Sequence, residues 1–169
     1  QADGVIEDCQ VVNNNSNGLN DCDGAIRRCV IQNNRGGGIV NCDGTITDSR
    51  IERTREGNGV QDGSVDIVRC MISSNNGAGF GDRHTGDIEQ SFIVANVRGI
   101  DGQSGDGGVI RNSVIAGNRN SGFYNSRKNV LSCTVAGNQQ YGFDSHVGTI
   151  RHVILWDNQS GALSGSTTP

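Results

Sequence analysis

The sequence predicts an all-β, single-domain solenoid of about eight coils, each of 20–22 residues with three short strands. Two observations predict it. An aliphatic residue recurs as Ile6, Ile26, Ile46, Ile67, Ile88, Ile110, Val130 and Ile150, at intervals of 20 to 22 residues. Around each anchor the same residue types return at fixed offsets, and a period of this length marks a stacked repeat.

The first strand holds the anchor. Three residues on comes a small side chain: Cys9, Cys29, Ser49, Cys70, Ser91, Ser113 and Cys133, with Val153 departing. Five residues on, the second strand holds Val11, Ile31, Ile51, Ile72, Ile93, Ile115, Val135 and Leu155. Eight residues on stands Asn14, Asn34, Asn75, Asn96, Asn118, Asn138 or Asn158, with Thr54 in the third coil. The third strand follows as glycine plus an apolar residue, from Gly18-Leu19 through Gly142-Phe143 to Gly161-Ala162. No apolar patch is long enough for a helix or has its 3.6-residue period. Alternation within each patch, and its β-branched content, are those of strands.

Stacking accounts for a composition that suits no layered fold. Hydrophobic residues are 33%, aromatics 4%, and there are 26 glycines against one proline. Like residues fall on like residues, so a thin core of Ile, Val, Cys and Phe suffices. The asparagines are expected to form a ladder between coils, and glycines to serve corners that need positive φ. The row Asp8, Arg28, Asp48, Arg69 alternates in sign, as opposed positions on neighbouring strands favour. A leucine-rich repeat has a similar period, but four leucines and no room for a helix argue against it. A left-handed β-helix runs on strict hexapeptides, which coils of 20 to 22 residues do not follow.

This repeat resembles that of the right-handed parallel β-helices of pectate-lyase-like proteins and many bacterial surface proteins, over residues 3 to about 163. The expected organisation is a β-helix over 1–164 and a tail over 165–169. The resemblance implies long flat faces on which polysaccharides lie. Lyases of the fold use carboxylates to hold Ca²⁺ beside a basic residue that removes a proton. Its hydrolases use two or three aspartates.

The candidate face is the third strand and the turn after it in coils four to seven. There Asp82, His84, Asp101, Asp106, Tyr124, Arg127, Asp144 and His146 are candidates for binding carbohydrate or Ca²⁺. "DGQSGDGG", from Asp101 to Gly108, is the longest departure from the repeat, and such insertions often mark a working face. Asp, Asn and Gly are also what turns require, and Asp3, Asp23 and Asp43 precede glycine as turn residues do. The acids come one per coil, and the family's catalytic residues do not transfer onto them.

The six cysteines fall in two repeat columns and are expected to be small core residues. Cys22 and Cys42, one coil apart, are the pair best placed for a disulfide. No C-x-x-C pair suggests structural zinc. His152 is expected on the surface. Phe80, Phe123 and Phe143 are expected in the core, and Tyr124, Tyr141 and Trp156 out of step with it, with Trp156 and Leu155 able to cover the last coil.

A net charge of −4 gives no footprint for nucleic acid. No apolar run reaches the roughly 18 residues that span a bilayer. The chain begins at Gln1 rather than Met, which suggests a processed or excised piece. The terminal coils would carry unpaired strand edges, met by further chain or by end-to-end stacking of copies. The expectation is an extracellular or cell-surface module, non-catalytic, binding carbohydrate or acting as a spacer in a larger protein, with no cofactor or with Ca²⁺. The alternative is a small lyase, epimerase or hydrolase acting on an acidic glycan.

Overall fold

A computed structural model describes residues 4–102 and 106–165. Its elements are 24 strands, joined in three parallel sheets of eight strands. The chain visits the sheets in rotation, so each coil contributes one strand to each. Coil 1 comprises Val5–Glu7, Gln10–Val12 and Leu19–Asn20, and coil 8 comprises Ile150–Arg151, Ile154–Trp156 and Gly161–Ser164.

The register is the one the repeat predicts. In the first sheet Ile6 pairs with Ile26, and the file runs unbroken to Val130 and Ile150. The Val11 to Leu155 file lies alongside in the second sheet. These side chains and the third-sheet residues Ile39, Val60, Phe80, Ile100, Phe123 and Phe143 form one core. In coil 8 the third strand is one residue out from the sequence alignment. Leu163, not Ala162, lies on Phe143, while Gly161 lies on Tyr141. The pairing keeps the bulky apolar residue in the core file.

The corners need positive φ, but glycine rarely supplies it. Asp8, Arg28, Asp48, Arg69, Gln90, Asn112, Ser132 and His152 all have φ of 49–53° where the chain leaves the first sheet. Asn13, Asn33, Arg53, Ser74, Ala95 and Asp157 do the same after the second sheet, joined there by Gly117 and Gly137. The glycine before each third-strand residue has a different cause. A Cβ on Gly79 would stand 2.5 Å from the Ile93 side chain and 2.8 Å from the carbonyl oxygen of Gly99. That column is glycine because neighbouring coils press against it.

Two side-chain ladders run along the axis. Asn75 donates its backbone N–H and its Nδ2 to Asn96 Oδ1, both at 3.0 Å. Asn96 Nδ2 in turn reaches the Ile72 carbonyl at 3.1 Å. The pattern repeats through Asn118, Asn138 and Asn158. In coil 3, Thr54 turns its hydroxyl to the Gly57 carbonyl. The Cys/Ser column is the second ladder, not merely small core filling. Cys70 N donates to Ser91 Oγ at 3.0 Å, and Ser91 N to Ser113 Oγ at 3.1 Å.

All six cysteines are free thiols, including Cys22 and Cys42. Instead of a disulfide, Cys42 Sγ accepts the Cys22 backbone N–H at 3.2 Å, which makes that pair another rung of ladder. Trp156 does not cover the end of the coil stack. It points outward from the second sheet and is 72% exposed, while Leu155 points inward.

Candidate functional site

The third sheet places one outward residue of each coil in a straight row. Gly81, Asp101, Tyr124, Asp144 and Ser164 are directly opposed in that order. Their alternation with the buried Phe80, Ile100, Phe123 and Phe143 puts them on the outer face. Asp82 follows at the corner, in a left-handed conformation with φ 59°. Asp82, Asp101, Tyr124 and Asp144 therefore share one face. Burial raises the Asp82 carboxyl above its ordinary range, and the nearby charges of Asp62 and Asp101 add to the effect.

The face also holds two residues that the sequence analysis did not single out. Arg98 Nη1 donates to Asp101 Oδ2 at 2.6 Å, and its guanidinium carbon lies 4.2 Å from the centre of the Tyr124 ring. Asp62 occupies the corner position of Asp82 one coil earlier, paired with Arg83 at 3.6 Å. Asp62 was legible as the residue after Val60-Gln61, in step with Asp82. Arg98 stands two residues before Ile100 with no sequence signal to mark it.

The other four candidates lie elsewhere. His84 is buried, tilted against Phe80 with ring centres 5.0 Å apart. Its Nε2 donates to the Val65 carbonyl at 2.8 Å, leaving Nδ1 without a partner. His146 is buried against the stacked pair of Phe123 and Phe143, at 5.6 and 4.9 Å, and neither ring nitrogen has an aligned hydrogen-bond partner. Against the effect of burial, the Asp106 charge, and after it the Gly148 backbone, favour its protonated form. Burial lowers both imidazoles, His84 to about 3 and His146 to about 4. Asp106 is turned inward, accepting from Ser126 Oγ at 2.6 Å and from the Arg127 backbone N–H at 2.9 Å. Arg127 itself is exposed in the turn. Residues 103–105 of the "DGQSGDGG" segment, Asp3 and residues 166–169 lie outside the described residues.

Behind this face, the only lysine is sequestered. Lys128 is fully buried, and its Nζ donates to the carbonyls of Gly86, at 3.0 Å, and Gly107. Burial lowers its amine to about 8, against the pull of the Asp106, Asp87 and Asp66 charges. It ties three successive turns together.

Chemically, the face offers one carboxylate on each of coils 3, 4, 5 and 7, namely Asp62, Asp82, Asp101 and Asp144, and one aromatic ring. Asp101 and Asp144 are two strands apart, so their backbones stand about 10 Å from each other with Tyr124 between them. Retaining glycosidases need carboxyl groups about 5–5.5 Å apart. Ca²⁺ asks for six to eight clustered oxygens. Among the described residues no three His, Cys, Asp or Glu side chains converge to hold a metal ion, and Asp101 is already ion-paired. The face does not fit a Ca²⁺ centre. At the ends of coils 1 and 2, Asp21, Asp23, Asn41 and Asp43 line a shallow acidic concavity at the same corner.

No family model matches the chain, and no curated protein matches it. Among solved structures it is similar to the crystal structure of pectate lyase Pel9A, with a TM-score of 0.70 and 19% identity. The likeness covers 90% of this chain and 52% of that one, so the chain spans about half the length of that structure. No helix among the described residues is long and apolar enough to cross a membrane. In fold, the chain is a right-handed parallel β-helix of the pectate-lyase type.

Proposed function

We propose that the chain is a non-catalytic, extracellular or cell-surface β-helix module that binds a polysaccharide along its third sheet. The observation that carries this is the Arg98–Asp101 ion pair beneath the Tyr124 row. It commits the central carboxylate of the face, as Arg83 commits Asp62 beside Asp82, and leaves Asp82 and Asp144 three coils apart. Such a face has hydrogen-bonding acids and a ring for a sugar chain, without a paired acid and base at catalytic spacing. Lys128 is bonded to two backbone carbonyls behind the face, which keeps its amine from serving there as a base. The similarity to a pectate lyase in fold supports a polysaccharide as the ligand class, and fold alone does not carry the activity.

The test is a glycan array with the wild-type chain, with and without Ca²⁺, beside Tyr124→Ala and Asp101→Asn. The expected result is binding that both substitutions weaken, with no product from the bound glycan. Release of unsaturated or new reducing ends would replace this reading with a lyase or a hydrolase.

A further inference from the structure

The second sheet changes character along its length. In coils 1 to 3 its outward residues are Gln10, Val12, Val30, Gln32, Arg50 and Glu52, and the last two form an ion pair at 2.9 Å. In coils 4 to 8 this sheet carries no charged residue. Its outward pairs there are Met71/Ser73, Phe92/Val94, Val114/Ala116, Thr134/Ala136 and Ile154/Trp156. Phe92 is 49% exposed, Ile154 62% and Trp156 72%. On one side the strip is edged by the exposed polar corner of Gln90, Asn112, Ser132 and His152. On the other side the corner of coils 5 to 7 is Ala95, Gly117 and Gly137, where little projects, with Ser74 in coil 4 and Asp157 in coil 8. The rim carries one charged residue at each end, Arg69 in coil 4, paired with Asp48, and Asp157 in coil 8. An apolar centre with a polar rim is the anatomy of a protein contact. A sugar chain would ask for more hydrogen-bonding groups than Ser73 and Thr134 offer.

The order of side-chain sizes says which protein fits. Consider a two-fold axis along the strand of coil 6, Val114–Ala116. It sets a second copy face to face, at the ~10 Å of stacked sheets, with its helix axis reversed. Coil 4 then meets coil 8 and coil 5 meets coil 7. Trp156 falls over Ser73, Phe92 over Thr134, Val94 over Ala136 and Met71 over Ile154, while Ala116 meets itself. Large residues face small ones at Trp156/Ser73, Phe92/Thr134 and Val94/Ala136, while Met71 and Ile154 meet as two apolar chains at the ends and Val114 meets itself; that is the self-complementarity an isologous contact needs. The same operation leaves coils 1 to 3 beyond the partner's coil 8, so Arg50, the exposed member of its ion pair with the buried Glu52, stays in water. A two-fold along the helix axis would instead bury that ion pair, at a desolvation cost, and set Ile154 on Trp156.

We propose that coils 4 to 8 of the second sheet bind a second copy of this chain, in an antiparallel dimer centred on coil 6. Five strands make a strip about 24 Å long and about 10 Å wide. That falls well below the ~800 Å² per partner of a standard interface, so the dimer is weak and concentration-dependent.

Sedimentation velocity up to about 0.5 mM, a range that reaches weak micromolar association, tests the dimer directly. The expected result is a monomer–dimer equilibrium that Ala116→Glu abolishes while leaving the melting temperature in place. Cross-linking tests the geometry, in a Cys9→Ser background that removes the exposed native thiol. A short bis-maleimide should join Met71→Cys molecules to Ile154→Cys molecules in a mixture, and neither variant to itself. Within one molecule these positions are four strands, about 19 Å, apart. A monomer throughout, or self-linking of either variant, overturns the proposal. So does a glycan whose binding Ala116→Glu abolishes when the parent chain stays monomeric. Loss of glycan binding in Tyr124→Ala bears only on the third sheet.

Discussion

The Arg98 guanidinium lies against the Tyr124 ring of the next coil while it holds the Asp101 carboxylate on its own strand. One side chain therefore fixes both the charge and the aromatic element of the candidate face. Replacing it by glutamine removes a cation–π contact and an ion pair, at a cost of about 1–2 kcal/mol. It also frees the Asp101 charge that already disfavours ionisation of Asp82. Carboxyl-resolved NMR titration should show the Asp82 pKa move further up in Arg98→Gln and come down in Asp62→Asn.

Crowding and backbone conformation make opposite predictions at two small residues. Gly79→Ala drives a Cβ into Ile93 and the Gly99 backbone and should cost about 1–3 kcal/mol. Ala95 holds φ 58° in a column otherwise rich in asparagine and glycine. Ala95→Asn should stabilise by up to about 1 kcal/mol, since asparagine tolerates that conformation. Urea midpoints of the two variants should move in opposite directions.

The asparagine ladder predicts a large loss from a small deletion. Asn96→Ala strips the Asn75 N–H of its acceptor in a buried site and empties the space the amide filled. The expected cost is about 2–3 kcal/mol, from an unsatisfied buried donor. Thr54→Asn completes the ladder between Asn34 and Asn75 and should raise the urea midpoint.

Acid should unfold the protein through two imidazoles. His84 and His146 have folded pKa values of about 3 and about 4, below the ordinary 6.5. The unfolded chain takes up their protons below pH 6.5, and the folded chain does not until pH 4 to 3. Stability is thus fullest above pH 6.5 and declines as the pH falls, by up to about 1.4 kcal/mol per pH unit for each residue. His146→Leu should remove its share of the slope between pH 6.5 and 4.5, measured by denaturant titration at each pH.

The thiols divide sharply by access. Burial pushes Cys42 up to about 12 and Cys70 up to about 11, so neither forms much thiolate near neutrality. Cys9 is the exposed thiol. Brief maleimide labelling at pH 7.5, followed by mass spectrometry, should modify Cys9 alone in the native protein and all six cysteines in urea.

The coil count, the three sheets and their register were legible because the anchor residues repeat in the chain as they stack in space. The period also placed Asp101, Tyr124 and Asp144 in one row. It did not separate them from His84, His146 and Asp106, because inward and outward directions alternate in the strands but not in the turns. The glycine column looked conformational and proved to be steric, since a repeat shows that a small residue is wanted but not which neighbour excludes a larger one. Arg98 went unnoticed because its role depends on Tyr124, 26 positions away, and on no spacing within a coil.

The amide bonds from Asn75 to Asn96, and onward to Asn158, all point the same way, with the N–H of one coil serving the Oδ1 of the next. The rod is consequently vectorial. Its two faces of growth offer different chemistry, one presenting carboxamide oxygens and the other backbone donors. Any unit that prolongs the stack must arrive in the same orientation, whereas a neighbour lying alongside is free to run the other way.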